Sequence, residues 1–572
     1  MSEKNEIMKV KSSMRPNKHR LILSIIAFLG YSAVTLARGH WPEFYRIGAP
    51  GGASIIDRVG SLVTYLDDDV MISLRAGSEL LISGRPAFNT IDVAQPSTSY
   101  LSPYIFAPLR AIFGNNLSVA VFAIIGFFAV GLTMALIIYF SRSLLNAILL
   151  VLFLTFTTTN LIFSLNGWDH IFQGLFLSGS LIVAFKTTNS RPGLLVQSFL
   201  LVLAVVARPD GIFLAVAIFG ITLYRNRDLK LTLIFGIIPF AALGGLIAVL
   251  NQIQFGHFTP TTARLKIGAS PSNSFAWNYF VENTLLSFSV LSVIAILVIW
   301  LMLLSETRTF DSYFLLTGAL LTVVIALVNS DFFEGARMAW SPAVMLATLI
   351  SLKSPSLLVF GQSYQQLMDT WTVGIKGFAS SVVALTILSA LCLVTFAAGF
   401  SGSLARSGND VESKYYQNFK LASWLEANLD PELGPVGLFF AGMSYYLPSF
   451  EVADFLGKGD ELIAGTPAKW GPPGHNKWNV DLTLSKWNPQ IIVPALELDP
   501  SDPKVVSDLQ NWIDIKADHG YVPEFALSES VNADFAWCAA MDLRNGGSVE
   551  MSTVLVRRDL LSDYGDLFLC DS

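Results

Sequence analysis

Uninterrupted apolar runs of roughly 17–25 residues constrain this chain more than any other feature. In hydrocarbon every backbone N–H and C=O must be paired within the chain, so runs of this length read as membrane-spanning helices. They fall near 21–38, 117–140, 144–164, 170–185, 193–207, 211–224, 231–250, 281–304, 311–328, 340–352 and 377–400, about eleven spans. Composition agrees. Only 14% of the 572 residues are charged and 53% are hydrophobic, whereas a soluble domain carries roughly a quarter charged residues. The first run follows Lys4, Lys9, Lys11, Arg15, Lys18 and Arg20 and ends in RGHWPEF, without a small-residue cleavage pattern. It reads as a signal anchor with a cytoplasmic N-terminus.

The connections then sort by charge. One set holds Arg142, KTTNSR (186–191), YRNRDLK (224–230), ETR (306–308) and the segment 353–376. These are short and biased to Lys and Arg, the mark of the cytoplasmic side. The opposite set holds DDD (67–69), NGWDH (166–170), RPDG (208–211), FGHFTPTTARLKIG (255–268) and NSDFFEGARMAW (329–340). Acidic, His and Arg side chains therefore collect on the extracytoplasmic face. An odd number of spans puts residues 403–572 there too. The expected organisation is a membrane domain over 1–402 and an extracytoplasmic domain over 403–572, in a multi-pass protein of the plasma (inner) membrane. The second part has no spanning run. VGLFFAG (436–442) and QIIVPAL (490–496) read as buried strands, and KYYQNFKLASWLEANL (414–429) as a helix, so an α/β domain is expected. Cys538 and Cys570 both lie in it, and in an oxidising compartment they can pair.

Several function classes drop out. No basic stripe interleaves with aromatics, so nucleic-acid binding is excluded. There is no Walker loop, no GxGxxG after a strand, no CxxC pair and no HExxH.

Three adjacent aspartates, Asp67, Asp68 and Asp69, stand just outside the first span. One carboxylate suffices to cap a helix. Three raise one another's pKa and titrate jointly, a cost that suggests a general base, a metal site or a cation partner. Val70, Met71, Leu74 and Leu81 recur at helical spacing, so 68–82 reads as an amphipathic helix lying at the interface. On it Asp68 and Arg75 share one side, roughly 10 Å apart along the axis. Arg75 is either an exposed interfacial cation or the near side of a cavity.

Six pieces, in order, carry a resemblance: DDxxISLR (68–75), the loop that runs through FN to QPSTSYLSP (95–103), LNGWDH, ARPDG, FGHFTPTTARLKIG and SDFFEGARMAWSP. Together they resemble polyprenyl-phosphate-dependent glycosyltransferases of the GT-C superfamily, and within it the mycobacterial terminal β-(1→2) arabinofuranosyltransferase and its bacterial relatives. In the tail, VADFLGKGDELIA, GPPGHNK and NPQIIV resemble the soluble domain of many such enzymes. Two departures leave the sugar and the acceptor unassigned. QPSTSY stands where the group has an acidic EGYT, and Asp169-His170 stand where it has Glu-Thr.

The resemblance implies a polytopic α-helical membrane protein with juxtamembrane helices in its first external loop. It implies an inverting transfer of a sugar, arabinofuranose in the nearest relatives, from a polyprenyl-phosphate donor. The acceptor would be an extracytoplasmic glycan, a lipid-linked glycan or a pilin-like protein, in contact with membrane lipids. Asp68 is the expected base, with Asp69 second and Asp67 in support. Arg264, Lys266, His257, Arg337 and Arg75 are the candidates for the donor phosphate. Gln95, Ser99, Tyr100, Asp169, His170, Arg208, Asp210 and His475 are candidates for sugar or acceptor, with an Arg208–Asp210 ion pair shaping the cavity. No cofactor is required on this reading, although carboxylate oxygens can take a divalent cation. The competing class is a transporter or flippase for lipid-linked sugars. That class places ionisable groups near the midplane, whereas here they gather at one face.

Overall fold

The computed structural model describes residues 20–26, 28–29, 44–46, 62–64, 68–91, 94–155, 169–187, 190–226, 228–266, 294, 297–298, 309–328, 337–353, 419, 421–468, 477–493, 534–542, 549–564 and 567–570. The apolar runs within them are helices. α1 (Asp68–Ser83) precedes α2 (Leu101–Phe140), α3 (Leu144–Thr155), α4 (Asp169–Lys186), α5 (Arg191–Ala207) and α6 (Ile212–Asn226). α7 (Leu229–Phe255) carries a π-turn at Leu233–Ile237. After the short α8 (Thr261–Lys266) come α9 (Phe310–Val328) and α10 (Trp340–Lys353). The span expected at 377–400, and most of that at 281–304, lie outside the described residues.

α2 is two helices joined at Gly114, whose φ of 72° suits glycine and few other residues. The break explains why the spanning run begins only near 117. Ser99 caps the first piece: its Oγ accepts the N–H groups of Leu101 (3.2 Å) and Ser102 (3.0 Å). Leu195, Val196 and Phe199 on α5, and Leu246, Val249 and Ile253 on α7, point outward and are exposed. An apolar band of that kind is rare on a water-facing surface and fits lipid.

The two sets of connections meet at opposite ends of these helices. At one end Asp311 Oδ2 lies 3.3 Å from Arg225 and 3.0 Å from Lys353, and the Arg142 N–H donates to Ser351 O. At the other end Asp169 opens α4, Arg208 and Asp210 join α5 to α6, and Ser341 lies in the first turn of α10.

Ahead of α1, β1 (Phe44–Arg46) pairs antiparallel with β2 (Leu62–Thr64). The other strands are β3 (Val436–Leu438), β4 (Val452–Asp454), β5 (Ile491–Val493), β6 (Phe535–Asp542), β7 (Val549–Arg557) and β8 (Phe568–Cys570). They form one sheet in the order β4-β3-β5-β7-β6-β8. β3 runs parallel to β4 and β5, and the remaining pairs are antiparallel. The short apolar runs read as strands are β3 and β5, buried along their length. Cys538 and Cys570 face each other across β6 and β8 and are joined by a disulfide.

α1 ties this sheet domain to the helices. It was expected on the membrane interface, yet every residue from Val70 to Glu79 is buried. The correction has a specific cause: the C-terminal domain covers its polar side. Arg75 is neither an exposed cation nor a wall of a cavity. Its Nε–H donates to Phe88 O (3.0 Å). Nη1 donates to Ser444 O (3.1 Å) and Leu447 O (2.8 Å), and Nη2 to Phe450 O (3.0 Å). Glu79 lies 3.2 Å from Nη2. Burial pushes the guanidinium below its ordinary range, while Glu79 and Glu451 act the other way. Beside it Asn89 exchanges two hydrogen bonds with the backbone of Val452, at 2.8 and 3.0 Å.

Replacing Arg75 by Met takes a donor from four buried carbonyls and the counter-charge from Glu79. The expected loss is on the order of 3–5 kcal/mol. It would be read as a lowered melting temperature of the purified protein in detergent. Arg75→Lys should rescue little, because an ammonium has three donors and no planar fork.

Candidate active site

α1 begins in the acidic run, so its first turn carries Asp68 and Asp69. Negative charge is favoured there by the helix dipole. Asp69 does not stand alone: its Oδ1 lies 2.9 Å from Lys458 Nζ, and Lys458 is only 5% exposed. Lys458 comes from the C-terminal domain, on the loop after β4. That loop is shaped by its own carboxylates. Asp454 Oδ1 accepts the Leu456 N–H (3.0 Å) and Oδ2 the Gly459 N–H (2.6 Å). Gly457 takes a left-handed φ of 73°, and a Cβ on Gly459 would meet the Phe88 ring at 2.1 Å. Asp460 then caps the short helix α11 (Glu461–Ala464) by accepting the N–H groups of Leu462 and Ile463. It also accepts from Lys486 Nζ (2.9 Å) and Trp487 Nε1 (2.7 Å).

Glu461 brings in the third wall. Its carboxylate accepts hydrogen bonds from Thr261 Oγ1 and Arg264 Nη1, and His257 Nε2 lies 3.5 Å from it. Lys477 Nζ donates to Arg264 O (3.1 Å) and Ala464 O (3.2 Å). The fourth wall is the segment 94–100. Ser97 Oγ meets Ser73 Oγ of α1 at 2.8 Å, Gln95 O accepts the Thr261 N–H (3.0 Å), and Tyr100 OH donates to Phe258 O (3.0 Å). The segment between α1 and α2, the 257–266 loop and the segment after β4 thus converge on the start of α1.

A second cluster shares this end of the bundle and is tied to the first by the Tyr100 N–H, which donates to Val206 O. Arg208 lies 3.6 Å from Asp169 and 3.3 Å from Asp210. Gln173 Nε2 donates to Arg208 O and Asp210 Oδ1, and Ser341 Oγ donates to Gln173 Oε1 (2.6 Å). His170 is buried beside it. The Arg208–Asp210 pair is therefore present, and Asp169 extends it to a triad.

Of the candidates for the phosphate, Arg75 is committed to carbonyls and Glu79, and Arg264 to Glu461. His257 lies at the same junction. Lys266 closes α8 and Arg337 opens the 3-10 turn Arg337–Ala339. Ser99 serves as a helix cap. Residues 67 and 475 lie outside the described residues. Sequence reasoning missed Lys458, Glu461 and Lys477. The signal was available: GKGDE packs three charges directly after a buried strand, and Lys477 follows the singled-out His475. Among the described residues no three His, Cys, Asp or Glu side chains gather as a metal site.

The whole chain resembles solved membrane proteins. ArnT from Cupriavidus metallidurans, bound to undecaprenyl phosphate, aligns over 92% of this chain and 97% of its own, at a TM-score of 0.50 and 13% identity. The Archaeoglobus fulgidus oligosaccharyltransferase tethered to an acceptor peptide aligns over 93% of this chain and 74% of its own, at a TM-score of 0.49 and 12% identity. No family model and no curated protein matches the sequence. The chain therefore shares the fold of that ArnT structure. The likeness carries no specific tie to an arabinofuranosyltransferase.

Burial pushes the Asp454 carboxyl from its ordinary 3.8 up to about 6, partly offset by its two backbone donors and Lys458. A carboxyl raised in this way binds its proton more tightly in the folded chain than in the unfolded one. Its contribution to stability is present below the unfolded pKa and is lost as pH rises through about 6, on the order of 2–3 kcal/mol. Melting temperatures of wild type and Asp454→Asn should therefore converge or cross between pH 4 and 7. A constant offset over that range would show that Asp454 does not titrate there.

Proposed function

We propose that the protein is an integral membrane inverting glycosyltransferase. It moves a sugar from a polyprenyl-phosphate donor to an extracytoplasmic glycan or protein acceptor. The observation that carries this reading is the acidic start of α1. It lies at the same end of the bundle as the Asp169–Arg208–Asp210 cluster, in a fold shared with ArnT bound to undecaprenyl phosphate. A transporter would need its ionised groups near the midplane. Here they sit at the helix ends, which favours an enzyme.

In this reading Asp68 takes the proton of an acceptor hydroxyl, with Asp69 as second choice. The hydroxyl oxygen attacks the anomeric carbon from the face opposite the phosphate. A new C–O bond forms, the bond to the phosphate oxygen breaks, and the configuration inverts. The base must lie within hydrogen-bond reach of the hydroxyl, and cations must meet the charge that gathers on the leaving phosphate. His257, Lys266 and Arg337 are our candidates for that task, with Arg264 available if the phosphate displaces Glu461. Asp67, Asp169, His170, Arg208, Asp210, Gln95, Tyr100 and His475 are assigned to the sugar or acceptor. No metal is required in this scheme. The charge sorting of the connections supports an inner-membrane protein with a cytoplasmic N-terminus and the C-terminal domain outside. Arabinofuranose is our first choice of sugar, on the sequence resemblance.

The test uses purified protein and a panel of polyprenyl-phosphate-linked arabinofuranose, mannose, galactose and aminopentose, with arabinan oligosaccharide or pilin-type peptide acceptors. Wild type should transfer at least one sugar. Asp68→Asn should lower the rate by roughly 100-fold to 10,000-fold, the usual weight of a general base, without changing the melting profile. Full activity in both Asp68→Asn and Asp69→Asn would remove the acidic pair from the chemistry.

A further inference from the structure

The C-terminal domain reaches into the acidic turn of α1 through one side chain. We propose that Lys458 is a positioning residue for the reaction: it holds Asp69 as a carboxylate in a fixed place, so that two adjacent aspartates can both be ionised beside the acceptor. This deepens the glycosyltransferase reading and rests on it.

Three observations converge on Lys458. Its Nζ lies 2.9 Å from Asp69 Oδ1, within charge-assisted hydrogen-bond distance. It is 5% exposed, and an ammonium withdrawn from water in this way is stable only when paired. The loop that carries it is fixed on both sides: by Asp454, which accepts the N–H groups of Leu456 and Gly459, and by Asp460, which caps α11 and binds Lys486 and Trp487. A flexible surface lysine would have neither burial nor a braced loop. The close approach of Gly459 to Phe88 seats the loop further, because Phe88 O is itself held by Arg75.

The electrostatics give the pairing a task. Asp68 and Asp69 are neighbours in sequence, and two adjacent carboxylates repel one another when both are ionised. A cation within about 4–6 Å of a carboxylate lowers its pKa by roughly 1–3 units. Along α1 the charged residues are Asp68, the sequence neighbour of Asp69, and Arg75 and Glu79 two to three turns on. The C-terminal domain adds Asp454, Asp460 and Glu461, and the 257–266 loop adds His257 and Arg264. Arg75 and Arg264 already have carboxylate partners in Glu79 and Glu461. Lys458 is thus, among the described residues, the cation placed directly against Asp69.

Lys458→Met should lower kcat by tenfold or more with little change in the acceptor KM. The acid limb of the kcat/KM–pH profile should move upward by about one unit, because Asp69, left without its cation, is an uncompensated negative charge beside the base Asp68. Lys458→Arg should restore most of the rate and return the limb. In Asp69→Asn, adding Lys458→Met should shift the limb no further. A double-mutant cycle on melting temperature, run without substrate, reads the pair itself. Coupling together with a shifted limb and rescue by Arg supports the proposal. Additive melting effects would overturn it, since the pair would not form. An unshifted limb in an active Lys458→Met protein would also overturn it, leaving Lys458 a brace between domains. A wild type that transfers none of the sugars would sink the glycosyltransferase reading itself, which the melting cycle distinguishes from failure of the pair.

Discussion

The guanidinium of Arg75 is the contact on which the arrangement of the two parts depends. Taking a cation this far from water costs several kcal/mol, and only a full set of acceptors offsets it. Those acceptors come from both halves of the protein. Phe88 and Glu79 belong to the first external loop, while Ser444, Leu447 and Phe450 belong to the C-terminal domain. The three distant carbonyls lie on successive turns that follow β3, and those of Ser444 and Leu447 also accept the backbone N–H groups of Leu447 and Phe450. Neither half can satisfy this geometry alone. The domain interface is therefore specified by a requirement for hydrogen bonds, with Asn89 on the Val452 backbone adding a second directional lock.

The site inherits its geometry from that joint. α1 is held at Arg75 by carbonyls and, two turns earlier, at Asp69 by Lys458. Both anchors lie on the same C-terminal domain, within one chain segment from Ser444 to Lys458. The same segment continues to Glu461, which gathers Thr261, Arg264 and His257. One stretch of about twenty residues therefore touches α1 and the 257–266 loop and sets the spacing between them.

The membrane architecture was legible because hydrocarbon imposes a length and an apolarity that a linear sequence displays directly. The runs at 193–207 and 311–328 became α5 and α9 within a residue or two. Charge sorting was legible for the same reason: Arg142, Arg225 and Lys353 do meet at one end, and Asp169 and Arg208 at the other. The helix after the aspartates was found too, at 68–82 against an observed Asp68–Ser83. Its environment was not. A helix with Val70, Met71 and Leu74 on one side and Asp68, Arg75 and Glu79 along another looks interfacial until a distant segment covers the polar side. Periodicity reports which faces differ and says nothing of what lies against each. Arg75 was misread on this account, and Lys458 and Glu461 were passed over because their partners lie hundreds of residues away.

The same consideration explains how an acidic run is tolerated at the membrane edge. Three like charges in water repel weakly, but against a protein surface of low dielectric they repel more strongly. A chain can relieve this by protonation, by a metal or by a basic side chain. The Asp69–Lys458 pair supplies the third kind of relief, and it does so from a different domain. The acidic turn is then electrostatically complete only when the C-terminal domain is docked. That dependence couples the charge state of the first turn of α1 to the docking that Arg75 enforces, so two basic side chains, one facing carbonyls and one facing a carboxylate, hold a single helix at its start and at its middle.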